Sequence, residues 1–299
     1  MEQKLYHYCS TQTAFAILQS RTFRLSPLSA ANDSLEGRVL GRLFAQLLTE
    51  MSIPRGVADV ASIIVEGYAD ATEGFAFCLS EDADLLSQWR AYACDGTGIA
   101  IGFCSDFLTR DYGPVNFGKS FYELVKVDYG EAELRASLVP LAQQVEDRFR
   151  LSGEFITLKA GLSRHDALAV LADRDADCRG LFRARDEAST ALLSELMHLL
   201  APLHFRIYGT KPQTFYEERE WRLLRYRHKV SHPEIDFFAD NTSVRPFIPC
   251  LIADPARNAV RDVILGPKHR SNTNWIRSFL EHVGLGHVNV IQSAHISYR

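Results

Sequence analysis

Cysteine is scarce and scattered. Cys9, Cys78, Cys94, Cys104, Cys178 and Cys250 include no C-x-x-C pair and no H-x-x-x-H lies near them, so neither a zinc site nor a disulfide framework is signalled, and buried free thiols in a reducing compartment are expected. No apolar run approaches the ~20 residues that span a bilayer. The opening MEQKLYHYCS lacks the basic region, apolar core and small-residue cleavage site of a secretory leader, so a cytoplasmic protein is expected. Basic charge is not in excess either: a formal net charge of -4 speaks against broad adhesion to nucleic acid or anionic lipid and leaves room only for a local basic patch. There is no internal repeat or low-complexity tract. Absent too are the G-x-x-x-x-G-K-[ST] phosphate loop, G-x-G-x-x-G after a first strand, the G-x-S-x-G elbow, H-E-x-x-H and a calcium loop, which sets aside several enzyme classes.

What is present is enough apolar material for a sizeable core, 46% of 299 residues, and the pattern predicts a single α+β domain over 1–299. KLYHYC at 4–9 reads as a strand opening into a helix capped by Ser10 or Thr11, and TFRLSPLS at 22–29 as a second strand. Helices are expected at about 35–51 and 56–70, strands at 74–81, 98–103 and 121–129, and a short helix between the first two of these carrying Leu85, Leu86, Trp89 and Tyr92. From 131 to 206 leucines recur at helical spacing, with Pro140 and Pro202 expected to kink the helices, so this stretch reads as a helical insertion between halves of a mixed sheet. VRPFIPCLIA, VRDVILGP and HVNVIQSAHIS supply the closing strands, with a helix carrying Trp275, Ile276, Phe279, Leu280 and Val283 before the last. Ending in ordered sheet, the chain is expected to suffer from C-terminal truncation.

The stretch 213–226, QTFYEEREWRLLRY, reads as one strand in which Tyr216, Glu218, Glu220 and Arg222 share a face. At about 3.3 Å per residue the two carboxylates stand roughly 7 Å apart, close enough for each to raise the other's pKa unless Arg222 offsets it. Two readings stand side by side: a solvated face with cross-strand ion pairs, or an active-site strand. His7 reads either as a satisfied half-buried histidine or as a ligand-contacting one, Trp89 and Tyr92 either as core anchors or as a stacking surface. Asn32, Asp33 and Glu36 are accounted for by turn and cap roles. The hydroxyl and aromatic set His7, Ser80, Trp89 and Tyr92, with the late carboxylates, suits a flat aromatic ligand held by stacking beside a sugar that develops positive charge.

Five blocks in order, LYHYCS, NDSLEG, CLSE followed by QWRAYACDGTGIAIGF, YEEREWRLL and VILGP, resemble the bacterial family catalogued as domain of unknown function twenty-nine seventy-one. A looser resemblance is to the ADP-ribosyltransferase fold, a split mixed sheet. There LYHYCSTQTAFAIL is similar to the strand whose histidine contacts a ribose of NAD, with His7 at that position. GFAFCLSEDADLLSQWRAY is similar to the block that supplies a serine and a tyrosine against nicotinamide, with Ser80 and Tyr92 as candidates. EEREW resembles the last block, with Glu220 as the catalytic glutamate and Glu218 two residues before it. The middle-strand tyrosine of that superfamily is replaced by Phe75, Ala76 and Phe77, and the long helical insertion departs from its pattern.

The resemblance implies an enzyme that consumes NAD: Glu220 stabilises an oxocarbenium-like ribose as nicotinamide leaves, Tyr92 or Trp89 stacks on the leaving ring, and Glu218 positions or deprotonates the acceptor. The acceptor is a protein, a nucleic acid or water, no metal is required, and a toxin or antiphage effector with a regulatory partner is the implied context. Two other readings stay open. One is a non-enzymatic module that binds a protein or a nucleotide. The other is a metal-dependent nuclease using Asn32, Asp33 and Glu36 with Glu218 and Glu220.

Overall fold

A computed structural model describes residues 3–28, 36–112, 122–149, 156–158, 163, 167, 182–184, 187–200, 203, 206, 208–228, 234–239, 242–253, 259–295 and 298. The chain is α+β, built on a ten-stranded mixed sheet. In chain order the elements are β1 (Lys4–Cys9), α1 (Thr11–Ser20), β2 (Thr22–Pro27), α2 (Glu36–Glu50), α3 (Arg55–Ala71), β3 (Thr72–Ser80), α4 (Leu86–Tyr92), β4 (Ile99–Cys104), α5 (Ser105–Tyr112), β5 (Tyr122–Lys126), β6 (Asp128–Tyr129) and α6 (Glu131–Phe149). There follow β7 (Ile156–Leu158), β8 (Phe182–Ala184), α7 (Glu187–Leu200), β9 (Thr210–Lys211), a 3-10 turn (Gln213–Glu218), β10 (Glu220–His228), β11 (Asp236–Ala239), β12 (Val244–Leu251), β13 (Val260–Leu265), α8 (Thr273–His282) and β14 (Asn289–Gln292).

The sheet runs β11-β12-β2-β3-β1-β4-β13-β14, antiparallel except for the β13–β14 pair, and β10 lies between β3 and β5. One edge of β3 is thus paired along its whole length with β10, from Glu220 opposite Ser80 to His228 opposite Thr72. Its other edge is shared. β1 pairs there only at Tyr6 with Ser80, and β2 only at Ser26 and Pro27 with Ala76 and Phe75. The sheet therefore forks between β1 and β2, and where the ladder lapses a side chain takes over, with His7 Nδ1 2.8 Å from the Cys78 carbonyl.

The two largest apolar clusters among the described residues follow from the patterning. One packs sheet residues such as Leu5, Phe23, Phe77, Ile101, Phe103 and Val263 with α1, α5 and α8. The other is helical: Leu40, Phe44 and Leu48 of α2, Val57 and Ile64 of α3, Leu138 and Val145 of α6 and Leu196 of α7. The expected insertion at 131–206 does supply helices, but they pack on α2 and α3, so the helical layer is assembled from two separate excursions from the sheet. The same stretch also contains short strands. Pro140 lies inside the continuous α6, whereas Pro202 is outside the described residues.

The reading of 213–226 as a single strand is corrected. Gln213–Glu218 is a 3-10 turn entered from Pro212, and Arg219 adopts the left-handed region (φ 44°, ψ 49°) before β10 begins at Glu220. Pro212 at the entry favours the turn, and the left-handed residue breaks the period-two alternation on which the strand reading depended. The C-terminal strand is also shorter than expected. After Gln292 the chain leaves the sheet and latches onto the loop before α4.

Candidate functional site

The fork opens into a cavity of about 430 Å³, within the range of small-molecule sites. β1 contributes Tyr6, His7 and Tyr8, β3 contributes Cys78 and Leu79, and α4 contributes Gln88 and Tyr92. The opposite wall is Lys211, Phe215, Glu218, Glu220 and Arg222, with Arg245 of β12 and Leu28 completing it.

The two carboxylates meet by a different route from the one their spacing suggested. Because Arg219 turns the chain, Glu218 and Glu220 converge on one ammonium: Lys211 Nζ lies 2.7 Å from Glu218 Oε2 and 2.8 Å from Glu220 Oε2. Lys211 is carried on the two-residue β9, which pairs in parallel with β6, and Tyr129 of β6 accepts a hydrogen bond at its hydroxyl from the Glu220 N–H at 2.7 Å. Arg222 grips the other side of Glu220, Nε to Oε1 at 2.8 Å, and donates to the Tyr208 carbonyl at 2.6 Å. Glu220 is 5% exposed and Arg222 2%. Burial pushes the Glu220 carboxyl up, but Arg222 and Lys211 outweigh it and hold the group below the usual carboxylate range, so it is ionised. The expected offset by Arg222 is thus realised, with Lys211 as a second cation that the pattern did not reveal. For Lys211 burial opposes the charge, and Glu220 and Glu218 overcome it and raise its pKa.

Tyr92 is half-exposed and donates its hydroxyl to Glu218 Oε1 at 2.9 Å, tying α4 to the carboxylate wall. His7 lies on the cavity at the point of the fork, stacked on Phe77 at 4.2 Å. A carbonyl only accepts, so the bond to Cys78 places the proton on Nδ1 and leaves Nε2 as an acceptor. Burial lowers the imidazole pKa from 6.5 to about 4. The unfolded chain takes up a proton near 6.5 and the folded chain only near 4, so stability falls as pH drops through that window. Urea unfolding at about pH 7.5 and about pH 5 should therefore show a larger acid-side loss for the native chain than for His7→Gln, a difference that disappears if His7 titrates normally in the fold.

Ser80 and Trp89 stand behind the wall rather than on it. Ser80 is 1% exposed; its hydroxyl donates to the Glu218 carbonyl at 2.7 Å and accepts from the Asp82 N–H at 3.2 Å, which fixes the junction between β3 and the Arg219 turn. Trp89 is fully buried, edge-on to Tyr8 at 4.8 Å, with its indole N–H donated to Asp84 Oδ1 at 2.6 Å. Of its two readings the core anchor holds, which corrects the ring-stacking role that the resemblance implied for it: a large flat ring at helical spacing has packed into the core, and the half-exposed Tyr92 is the aromatic of α4 that reaches the cavity. Besides Lys211, pattern reading did not single out Tyr6, Gln88, Phe215 or Arg245. A lysine before a proline and an arginine opening a late strand carry no periodic signal, since tertiary contacts alone bring them here.

Among the described residues there is no group of three or more His, Cys, Asp or Glu side chains arranged to hold a metal. Asn32 and Asp33, and the side chain of Glu36, lie outside what is described. Among the described residues no helix is long and apolar enough to cross a membrane. No curated protein and no solved structure matches the chain. Residues 88–223, from α4 into β10 and so including Gln88, Tyr92, Lys211, Glu218, Glu220 and Arg222, are similar to a family described as "Protein of unknown function (DUF2971)".

Proposed function

We propose that the cavity binds NAD and breaks its nicotinamide–ribose bond, passing ADP-ribose to a macromolecular acceptor or to water. The family description carries no chemistry, so the support is geometric. The single observation that carries the reading is the convergence, at the fork between β1, β3 and β10, of a neutral His7, the Tyr92 ring and an ionised, buried Glu220. In this reading Tyr92 lies against the nicotinamide and Gln88 offers an amide to its carboxamide. Lys211 and Arg245 face the pyrophosphate. As the bond from ribose C1′ to the pyridinium nitrogen breaks, its electron pair leaves with neutral nicotinamide and positive charge develops on the ribose beside Glu220, where a fixed carboxylate is most effective. The acceptor's oxygen or nitrogen then bonds to C1′ and its proton passes to Glu218 or to water.

A second reading is favoured by one specific observation: Glu220 is already neutralised by Lys211 and Arg222. That arrangement suits a module that binds a nucleotide without turning it over. The catalytic reading requires Lys211 to share its charge with the incoming pyrophosphate.

Purified protein incubated with NAD, with and without cell lysate, is expected to release nicotinamide, and lysate dependence separates transfer from hydrolysis. Calorimetric NAD binding with no release under either condition would establish the module instead. Absence of both binding and release removes NAD from consideration. EDTA should leave the release unchanged, and its loss on chelation would point to metal chemistry.

A further inference from the structure

A second concavity, of about 760 Å³ and sharing no lining residue with the first, lies against the turn that follows β13. Its floor is held by backbone bonds: the Gly266 N–H donates to the Gly98 carbonyl at 3.0 Å, and the Lys268 N–H to the Gly96 carbonyl at 2.9 Å. A Cβ at Gly266 would come within 2.4 Å of the Gly96 oxygen, so the two turns touch at a point where no side chain fits. On this fixed floor stand Lys268, His269 and Arg270 in succession, with the Ser271 hydroxyl and the Tyr298 ring. Lys268 Nζ sits 4.2 Å from the Tyr298 centroid and 2.7 Å from Asp95 Oδ2, while the Tyr298 hydroxyl donates to Asp95 Oδ1 at 2.5 Å. Arg90 of α4 acts on the same Asp95 and Tyr298. Lys268 and Arg90 thus stand about the Asp95 carboxylate and Arg270 is a further cation on the cleft lining, on a chain whose formal net charge is -4.

We infer that this cleft binds the sugar–phosphate backbone of a single-stranded nucleic acid, with Arg90, Lys268 and Arg270 on phosphates and Tyr298 available to a base. A local cationic surface joined to an aromatic ring is the combination that holds single strands without reading their sequence. The cleft is open and larger than the cavity, which suits a chain passing across it better than an enclosed small anion. α4 also connects the two regions, since Gln88 and Tyr92 line the cavity and the Arg90 charge acts on Asp95, the partner of the cleft residues Lys268 and Tyr298. The inference stands independently of the chemistry proposed for the cavity.

Anisotropy of a labelled deoxythymidine oligonucleotide of about 20 nucleotides, longer than the sites of roughly 4–16 typical of such proteins, is expected to show binding that weakens with salt. The Arg90→Glu, Arg270→Glu double variant should lose about tenfold or more in affinity, and about 1.4 from the salt slope at roughly 0.7 per phosphate contact on a single strand. Its unfolding temperature and NAD binding should not change. The inference is overturned if the native chain fails to bind at low salt, or if the double variant binds as the native chain does. It is equally overturned if inorganic pyrophosphate displaces the strand as well as unlabelled oligonucleotide, which would identify a small-anion subsite. Oligonucleotide binding by a chain that neither binds nor consumes NAD would leave this inference intact and remove only the cavity reading.

Discussion

Glu220→Gln is expected to lower nicotinamide release by roughly two to three orders of magnitude, the scale on which a fixed transition-state-stabilising group acts. The variant also disturbs the fold, because Arg222 and Lys211 lose a charge partner in a site where Glu220 and Arg222 are 5% and 2% exposed. Breaking a buried pair from one side costs about 3–5 kcal/mol, with Gln at the lower end since its amide oxygen still accepts from Arg222. The two effects are separable. Release assayed at a temperature where circular dichroism shows Glu220→Gln still folded reads the catalytic loss alone. If the folded variant releases nicotinamide as the native chain does, Glu220 is a structural residue and the catalytic reading fails. The linkage has a definite sign. The Glu220 pKa is lowered in the fold, so its stabilisation is present above the unfolded carboxylate range and is lost as pH falls through the lower folded value. Acid unfolding curves of native and Glu220→Gln proteins should therefore draw together at the low end.

Asp84→Ala is expected to destabilise the protein by about 4 kcal/mol, although Asp84 is only a loop residue. Its carboxylate accepts from the Trp89 indole at 2.6 Å, the Ser293 hydroxyl at 2.6 Å and the Ala294 N–H at 2.7 Å, and its carbonyl is bonded by His295 Nε2 at 3.0 Å. Trp89 and Ser293 are buried, so alanine leaves donors without partners at about 1–3 kcal/mol each. At roughly 2–4 °C per kcal/mol for a chain of this size, the unfolding temperature should fall by on the order of 10 °C. Deleting residues 293–299 breaks the same network and should cost a similar amount, and the combination should cost little more than either change. Fully additive losses would show that the tail and Asp84 stabilise different parts of the molecule. Because the latch holds the entry to α4, NAD binding through Tyr92 should weaken in both variants.

The alternation of TFRLSP and the helical recurrence of Leu40, Phe44 and Leu48 are local signals that survive folding, because each element buries the face its period defines. Trp89 shows where a residue type has two physical uses: an indole serves a core or a ligand equally well, and only the Asp84 carboxylate and the Tyr8 ring decided between them. QTFYEEREW failed as a strand for a local reason, the left-handed Arg219, yet the pairing of its glutamates survived because Lys211 gathers both.

By itself, then, the order of residues determined the α+β class, most of the strands and helices, and the presence of His7, Tyr92, Glu218 and Glu220 as groups worth watching. These follow from short-range preferences and periodic burial, which a chain carries wherever it goes. The tertiary structure alone decided that β3 divides one edge between β1 and β2, that the gap becomes a cavity with His7 at its fork, and that Lys211 and Arg245 join Arg222 on its wall. Those outcomes depend on pairings between strands far apart in the chain, and such pairings leave no period in the sequence for a reader to find.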